Sequence, residues 1–353
     1  MADVVFVLGA GASQAAGAPI MSNFLQVANK LLRNGTLGAL QPHFESLMRV
    51  RASLQSVHSK AQLDLDNIEE LFSALEMGQM LQWLPGLEGE DLGGAIENLK
   101  RVIVGTLAHS VQFPTSSGQL RPPKPYGAFC EMLAKVQQGP PRRTVAIITF
   151  NYDIALDYAL QFFQLGPNYV IPGSRAAGIP LLKLHGSTNW GTCAVCKKVV
   201  PFEFWQYFQK FSMAPFSDKG FVFFSPGDQL AQHQHCEKPL GQEPVLIPPT
   251  WNKATSKYLF PEVWVRAGQE LREAESVFVV GYSLPESDRF FKYLYAIGVT
   301  GPRSLERFCV VDPDTRVHAR FEKLLGPAAS KVFMPVTGNF ESAIPTVEGF
   351  ILS

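Results

Sequence analysis

Val4 to Leu8 is an unbroken apolar run that passes directly into Gly9-Ala10-Gly11-Ala12-Ser13. A run this short and this apolar suits a strand buried on both faces. The glycines then turn the chain into a helix. Further short apolar runs follow at Thr144–Thr149, Leu181–Leu184, Ser276–Val280 and Phe308–Val311. Helical patterns lie between them at about 153–164, 255–274, 287–298 and 315–325. Alternation of this kind predicts an α/β fold on a parallel sheet.

Two stretches interrupt the alternation. Residues 36–125 read as a helical insertion followed by a linker. Its clearest helix covers 66–81, with Asp66 as cap, Glu69 three residues on, and Ile68, Leu71, Phe72 and Leu75 at helical spacing. Leu92, Ile96, Leu99, Ile103 and Leu107 mark another. Residues 112–125 are rich in Pro and Ser and read as the linker. Residues 191–250 form a second insertion, irregular and aromatic. The remaining pieces, 1–35, 126–190 and 251–353, make one discontinuous α/β domain.

Charge excludes several functions. The chain of 353 residues carries 31 Lys+Arg against 31 Asp+Glu, and charged residues are only 18%. It lacks the basic field that DNA binding requires and the high net charge of a disordered chain. No apolar segment reaches the roughly 18 residues of a membrane span. The first residues show no basic region or cleavage site, and the five cysteines are few and odd in number. The expectation is a cytoplasmic protein without direct DNA or membrane contact.

Six segments carry chemistry. A glycine turn opening a helix at Gly9–Ser13 can receive a diphosphate, although the spacing departs from GxGxxG; a plain tight turn is the other reading. Thr149-Phe150-Asn151-Tyr152-Asp153 follows a strand, where ligands bind in open α/β sheets, but Asp153 also suits a helix cap. Lys183-Leu184-His185-Gly186-Ser187 places a histidine past a strand, as a general base or as a structural residue. Gly281-Tyr282-Ser283-Leu284-Pro285-Glu286-Ser287-Asp288 follows another strand and suits phosphate or ribose contact. Asp312, after Val311, can bind ribose hydroxyls or cap the next helix. Finally, Cys193 and Cys196 are spaced CxxC, and His233 and Cys236 are spaced HxxC. Two such knuckles predict a structural Cys3His zinc site, with His235 able to replace His233.

In this order the motifs GAGAS, TFNYD, LHGS, the cysteine pairs and GYSLPESD resemble the sirtuin superfamily. The segment from Cys236-Glu237-Lys238-Pro239-Leu240 to Val245-Leu246-Ile247-Pro248-Pro249-Thr250-Trp251 adds to the likeness. The resemblance implies a Rossmann-like parallel sheet with a helical insertion and a small zinc-ribbon-like insertion. It implies NAD as substrate, held by Gly9, Ala10, Gly11, Ser13, Gly281, Ser283 and Asp312. Asn151, Asp153 and His185 would be the catalytic residues. There are departures. Gly17-Ala18-Pro19-Ile20-Met21-Ser22 stands where deacylating sirtuins read GIPDFR, Phe150 replaces a glutamine, and Pro248-Pro249-Thr250-Trp251 replaces their peptide-binding segment.

Kept dinucleotide motifs beside altered protein-substrate motifs resemble the sirtuin-like NADases of bacterial anti-phage defence. The implied reaction is hydrolysis of NAD to nicotinamide and ADP-ribose. A protein deacylase, an ADP-ribosyltransferase and a non-catalytic NAD or ADP-ribose sensor are the rival readings. A toxic NADase needs a latch, so a homo-oligomer and a separately encoded regulatory partner are expected. Ten aromatics lie within 202–224 (Phe202, Phe204, Trp205, Tyr207, Phe208, Phe211, Phe216, Phe221, Phe223 and Phe224), as a local core or an oligomer interface.

Overall fold

The computed structural model describes residues 1–56, 60–87, 92–174, 177–202, 220–225, 227–247, 259–285 and 289–353. Seven strands form one sheet: β1 (Val4–Leu8), β2 (Val145–Thr149), β3 (Pro167–Asn168), β4 (Ile179–Lys183), β5 (Ser276–Val280), β6 (Arg307–Val311) and β7 (Phe333–Val336). Their order across the sheet is β7-β6-β5-β1-β2-β4-β3, and every pairing is parallel. Val4 sits in register with Ser276 on one side and Val145 on the other. Every residue of β1, β2 and β5 is buried, which is why these runs carry no polar alternation.

The chain moves outward from β1 through β2 to β4 and β3, then returns to β5 on the other side of β1. Connections therefore diverge between β1 and β5. In open α/β sheets the crevice outside the strand ends at such a point is the ligand site. The segments Gly9–Ser13, Phe150–Asp153, Leu184–Ser187, Gly281–Leu284 and Asp312 all leave the sheet at this edge. This is the expected Rossmann-like sheet.

The helix Phe24–Arg33 leads into the first insertion, which contains the helices Gln41–Leu54, Ile68–Leu81 and Leu92–Ala108. Asp66 does not cap Ile68–Leu81. Asn67 does, accepting the Glu69 N–H at 2.9 Å, while Asp66 pairs with Arg51 at 2.6 Å. The segment expected as a linker is structured. Phe113–Ser116 pairs antiparallel with Gln119–Leu120 around Ser117 and Gly118, whose φ values of 51° and 72° make the tight turn. Phe113 also pairs with Val222, so this hairpin joins the two insertions.

In the second insertion Trp190–Thr192 pairs with Val199–Pro201, and Gln234–His235 pairs with Lys238–Pro239. Cys193, Val200, Leu230 and Leu240 form its small core. Six of the ten aromatics, Phe204 through Phe216, lie outside the described residues. Of the rest, Phe224 packs edge-on to Phe113 at 4.7 Å, Phe221 to Phe223 at 5.3 Å, and Phe202 to His233 at 5.7 Å. Pro248–Trp251 and Glu286–Asp288 also lie outside. Among the described residues, no helix is long and apolar enough to cross a membrane.

Candidate active site and metal centre

The two glycine loops at the end of the sheet pack on each other. Gly11 N–H donates to the Gly281 carbonyl at 2.9 Å. A Cβ on Gly9 would stand 2.5 Å from the Gly281 oxygen, and one on Gly281 would stand 2.5 Å from the Gly11 carbonyl carbon. Gly281 also has φ +60°, a left-handed backbone that disfavours other residues. Loop packing thus accounts for these glycines, and it brings the exits of β1 and β5 to one spot.

Beside them lies a buried polar cluster. Asn151, two residues beyond β2, donates from Nδ2 to the Gly9 carbonyl at 2.9 Å and to Ser13 Oγ at 3.0 Å. Ser13 Oγ also lies 2.7 Å from Tyr126 Oη. The Ser13 hydroxyl also favours the charged form of Asp153, whose Oδ1 accepts the Ala155 N–H at 3.0 Å. Burial raises the Asp153 carboxyl above the ordinary carboxylate range, against the lowering pull of Lys183. Burial likewise drives the Tyr126 phenol well above its ordinary value, so it stays a neutral donor. Three expected site residues, Ser13, Asn151 and Asp153, therefore come together, and Tyr126 joins them. Tyr126 starts the helix Tyr126–Gln138, more than a hundred residues from Ser13, and no local pattern marks it.

Lys183, the last residue of β4, is the second addition. Its Nζ donates to the Asp153 carbonyl at 2.6 Å and to Asp157 Oδ2 at 3.0 Å, and both side chains are 1% exposed. Tyr169 Oη donates to Asp157 at 2.7 Å. An ion pair buried this far is held by its added hydrogen bonds, and here those bonds pin the Asn151–Asp153 loop. A lysine within an apolar run was the visible signal.

His185 is buried among aromatics. Its ring lies 5.0 Å from Phe150 and 6.0 Å from Tyr152. Its carbonyl accepts the Ile247 N–H at 2.8 Å, and Tyr152 Oη donates to the Ile247 carbonyl at 2.7 Å. Gly186, at φ +83°, pairs with Leu246, and a Cβ there would collide with the Val245 carbonyl oxygen. The segment Val245–Ile247 thus braces the histidine from behind.

Ser283 and Asp312 lie on the β5–β6 side. The Ser283 carbonyl accepts from Arg320 Nη1 at 2.8 Å. Asp312 Oδ1 accepts the Asp314 N–H at 2.8 Å, and burial raises its carboxyl. Asp314, not Asp312, caps the following helix, accepting the Arg316 N–H at 2.9 Å. The Asp312 carboxylate is therefore not consumed by capping.

Ser13, Asn151 and Asp153 line one end of a cavity of about 30 Å³. Its other walls are mostly apolar: Ala18, Met21 and Phe24 from the chain after the glycine loop, Ile68, Ile103 and Leu107 from the helical insertion, and Phe150 from the loop after β2. A volume of this size holds about two waters.

The metal centre differs from expectation in one residue. Cys193, Cys196, Cys236 and His235 bring their ligand atoms within 4.8 Å of one another. His235 Nδ1 lies 3.6 Å from Cys196 Sγ and 3.3 Å from Cys236 Sγ. His233 is not in this group. Its N–H closes a turn to Leu230 and its ring packs on Phe202. The cause is the tight hairpin: Cys236 and Glu237 have φ of 50° and 61°, which folds Cys236 back beside His235. Three sulfurs and an imidazole around one point fit tetrahedral zinc. The thiols also respond to crowding: backbone donors lower Cys193 to about 6, while burial and neighbouring sulfurs raise Cys236 to about 11. Four protein ligands leave no open position, so a zinc ion here would be structural.

No family model matches the chain, and no curated protein matches it. Solved structures similar to it include a mutant Sir2 homologue in complex with ADP-ribose, at 14% identity, covering 99% of this chain and 91% of that one, with a TM-score of 0.41. A structure described as the basis for the mechanism and regulation of Sir2 enzymes has 13% identity, covers 99% and 92%, and has a TM-score of 0.38. Sir2Tm bound to a propionylated peptide has 16% identity, covers 99% and 94%, and has a TM-score of 0.34. Along nearly its whole length, the chain is thus similar to structures of Sir2, or sirtuin, proteins.

Proposed function

We propose that this chain binds NAD across the ends of β1, β2 and β5 and hydrolyses the bond between nicotinamide and ribose. One water is consumed, and nicotinamide, ADP-ribose and a proton are released. The observation that carries this reading is the buried Ser13–Asn151–Asp153 cluster at the polar end of an otherwise apolar cavity. An aromatic amide has that distribution of polarity. In this reading Asp153 and Ser13 hold the carboxamide, and Asn151 orients a ribose hydroxyl or the attacking water. The leaving group is already a cation, so no acid is needed to expel it. The sugar passes through an oxocarbenium-like state. His185 takes the proton from water or the ribose diol. Gly9, Ala10, Gly11, Gly281 and Ser283 border the diphosphate, and Asp312 the far ribose.

The role as a regulated effector of bacterial anti-phage defence, with an oligomer or a separately encoded partner as trigger, rests on the sequence resemblance. Incubation of the protein with NAD, following nicotinamide and ADP-ribose with and without an acetylated peptide, tests the reaction and separates it from deacylation.

A further inference from the structure

A second cavity, of about 490 Å³, lies on the seam between the two insertions. Its apolar wall includes Leu40 and Val104 from the helical insertion and Leu246 from the metal-bearing one. At its polar side stand His43, Lys100, Arg101 and Glu243. The volume is that of a small-molecule site.

The polar groups are arranged around an incomplete ion pair. Arg101 donates from both Nε, at 3.0 Å, and Nη2 to the same Glu243 oxygen, Oε1. A guanidinium fork is built to meet two oxygens, and here it meets one. Its Nη1 lies 3.4 Å from His43 Nε2, while His43 Nδ1 lies 2.7 Å from Asn98 Oδ1. Asn98 Nδ2 donates to Ser46, so His43 Nδ1 donates to Oδ1 and Nε2 is left to accept from Arg101. Arg101 and Glu243 are 45% and 52% exposed, and a pair that wet contributes little. A better anion can therefore take the guanidinium at small cost. Lys100, paired with Glu97 at 2.7 Å, also acts on Glu243, so a second cation and a second carboxylate stand at the same rim.

We propose that this seam is a binding site for a phosphorylated small molecule with a flat apolar body, of nucleotide size. The phosphate takes the Arg101 fork in place of Glu243, and the apolar body lies against Leu40, Val104 and Leu246. Nothing in this assignment depends on the reaction proposed for the other site.

The seam has a direct structural path to His185. Glu243 begins the segment that continues through Val245, which accepts the Ser187 N–H at 3.1 Å, and Leu246, which pairs with Gly186. The next residue, Ile247, bonds both His185 and Tyr152.

AMP and adenosine are suitable probes, and the site they report is assigned to the seam by its response to Arg101 and Glu243. Calorimetry should show AMP binding at one site per chain and adenosine binding at least tenfold more weakly. Arg101→Gln should weaken AMP binding at least tenfold. Glu243→Gln, which removes the competing carboxylate, should strengthen it severalfold. Neither substitution should shift ADP-ribose binding or the melting temperature appreciably, since both groups are half exposed. Opposite changes from the two partners of one pair are not produced by misfolding. AMP failing to bind, adenosine binding as tightly as AMP, or both variants shifting affinity in the same direction would each overturn the assignment. If ADP-ribose itself does not bind, the NAD reading fails, and the AMP titration still tests the seam.

Discussion

The Phe150 ring lies flat on the Tyr282 ring, with centroids 4.3 Å apart and planes within 9°. The two residues follow β2 and β5, which flank β1 on opposite sides, so the stack closes over the end of the central strand. Its other neighbours are His185, edge-on to Phe150 at 5.0 Å, and Phe291 at 5.6 Å. The aromatic lid and the polar cluster thus share the loop Phe150–Asp153: the first residue packs and the later ones carry polar chemistry. Phe150→Ala should lower NAD turnover at least tenfold through displaced His185, and lower stability by about 3–5 kcal/mol as a buried aromatic deletion. Denaturant unfolding and steady-state rates on the same preparation measure both.

Asn151→Ala and His185→Ala should each reduce turnover by roughly 10²–10⁴-fold while the chain remains folded. Circular dichroism and single-turnover nicotinamide release check the pair. Wild-type rates in both variants would remove this cleft from the chemistry.

Asp153 has opposite consequences for stability and activity. Its carboxyl is raised in the folded chain, chiefly by burial. The folded state then binds more protons than the unfolded one. This group's stabilisation is full below the unfolded value and is lost as pH rises through the folded value. Asp153→Asn keeps the acceptor for Ala155 N–H and removes the buried charge. The variant should melt higher than wild type above the ordinary carboxylate range and converge with it in acid. Its NAD turnover should fall, and the acid limb of the wild-type rate profile should lie above the ordinary carboxylate range. Melting curves and rates across pH measure both.

The metal ligands are separable by substitution. His235→Ala should lower zinc content and stability together, whereas His233→Ala should leave zinc content unchanged. Elemental analysis of the purified variants reads this directly. Chelation should lower the melting temperature of the wild-type protein, as expected for a structural site.

Gly281→Ala should be severely destabilising, by about 2 kcal/mol or more. It combines left-handed backbone strain with a Cβ pressed into the Gly11–Ala12 backbone. Gly349→Ala, where a Cβ meets nothing within 4 Å, is the control and should be near neutral or stabilising. Urea unfolding compares them.

The sheet was legible because each central strand holds a run of four or five apolar residues ended by glycine or a polar residue, and tertiary burial on both faces demands that pattern. The 112–125 segment was not legible as a hairpin. Its local pairing covers only Thr115–Ser116 with Gln119–Leu120, Pro114 masks the strand signal, and the rest of the strand pairs with Phe221–Val222 in the other insertion, although Ser117-Gly118 is a turn dipeptide. His233 and His235 are both within ligand spacing, and only the left-handed turn at Cys236 and Glu237 selects the second. Asn151 and Asp153 were visible as polar residues past a strand. Tyr126 was not, since its role arises from a contact 113 residues away along the chain, and Lys183 showed only as a lysine within an apolar run, with the Asp153 carbonyl it bonds 30 residues away.

The most direct test of the central claim is nicotinamide release from NAD by the purified chain, measured with and without an acetylated lysine peptide. The account predicts nicotinamide and ADP-ribose in equal amounts, at a rate the peptide does not change. Nicotinamide released only when the peptide is present would contradict it.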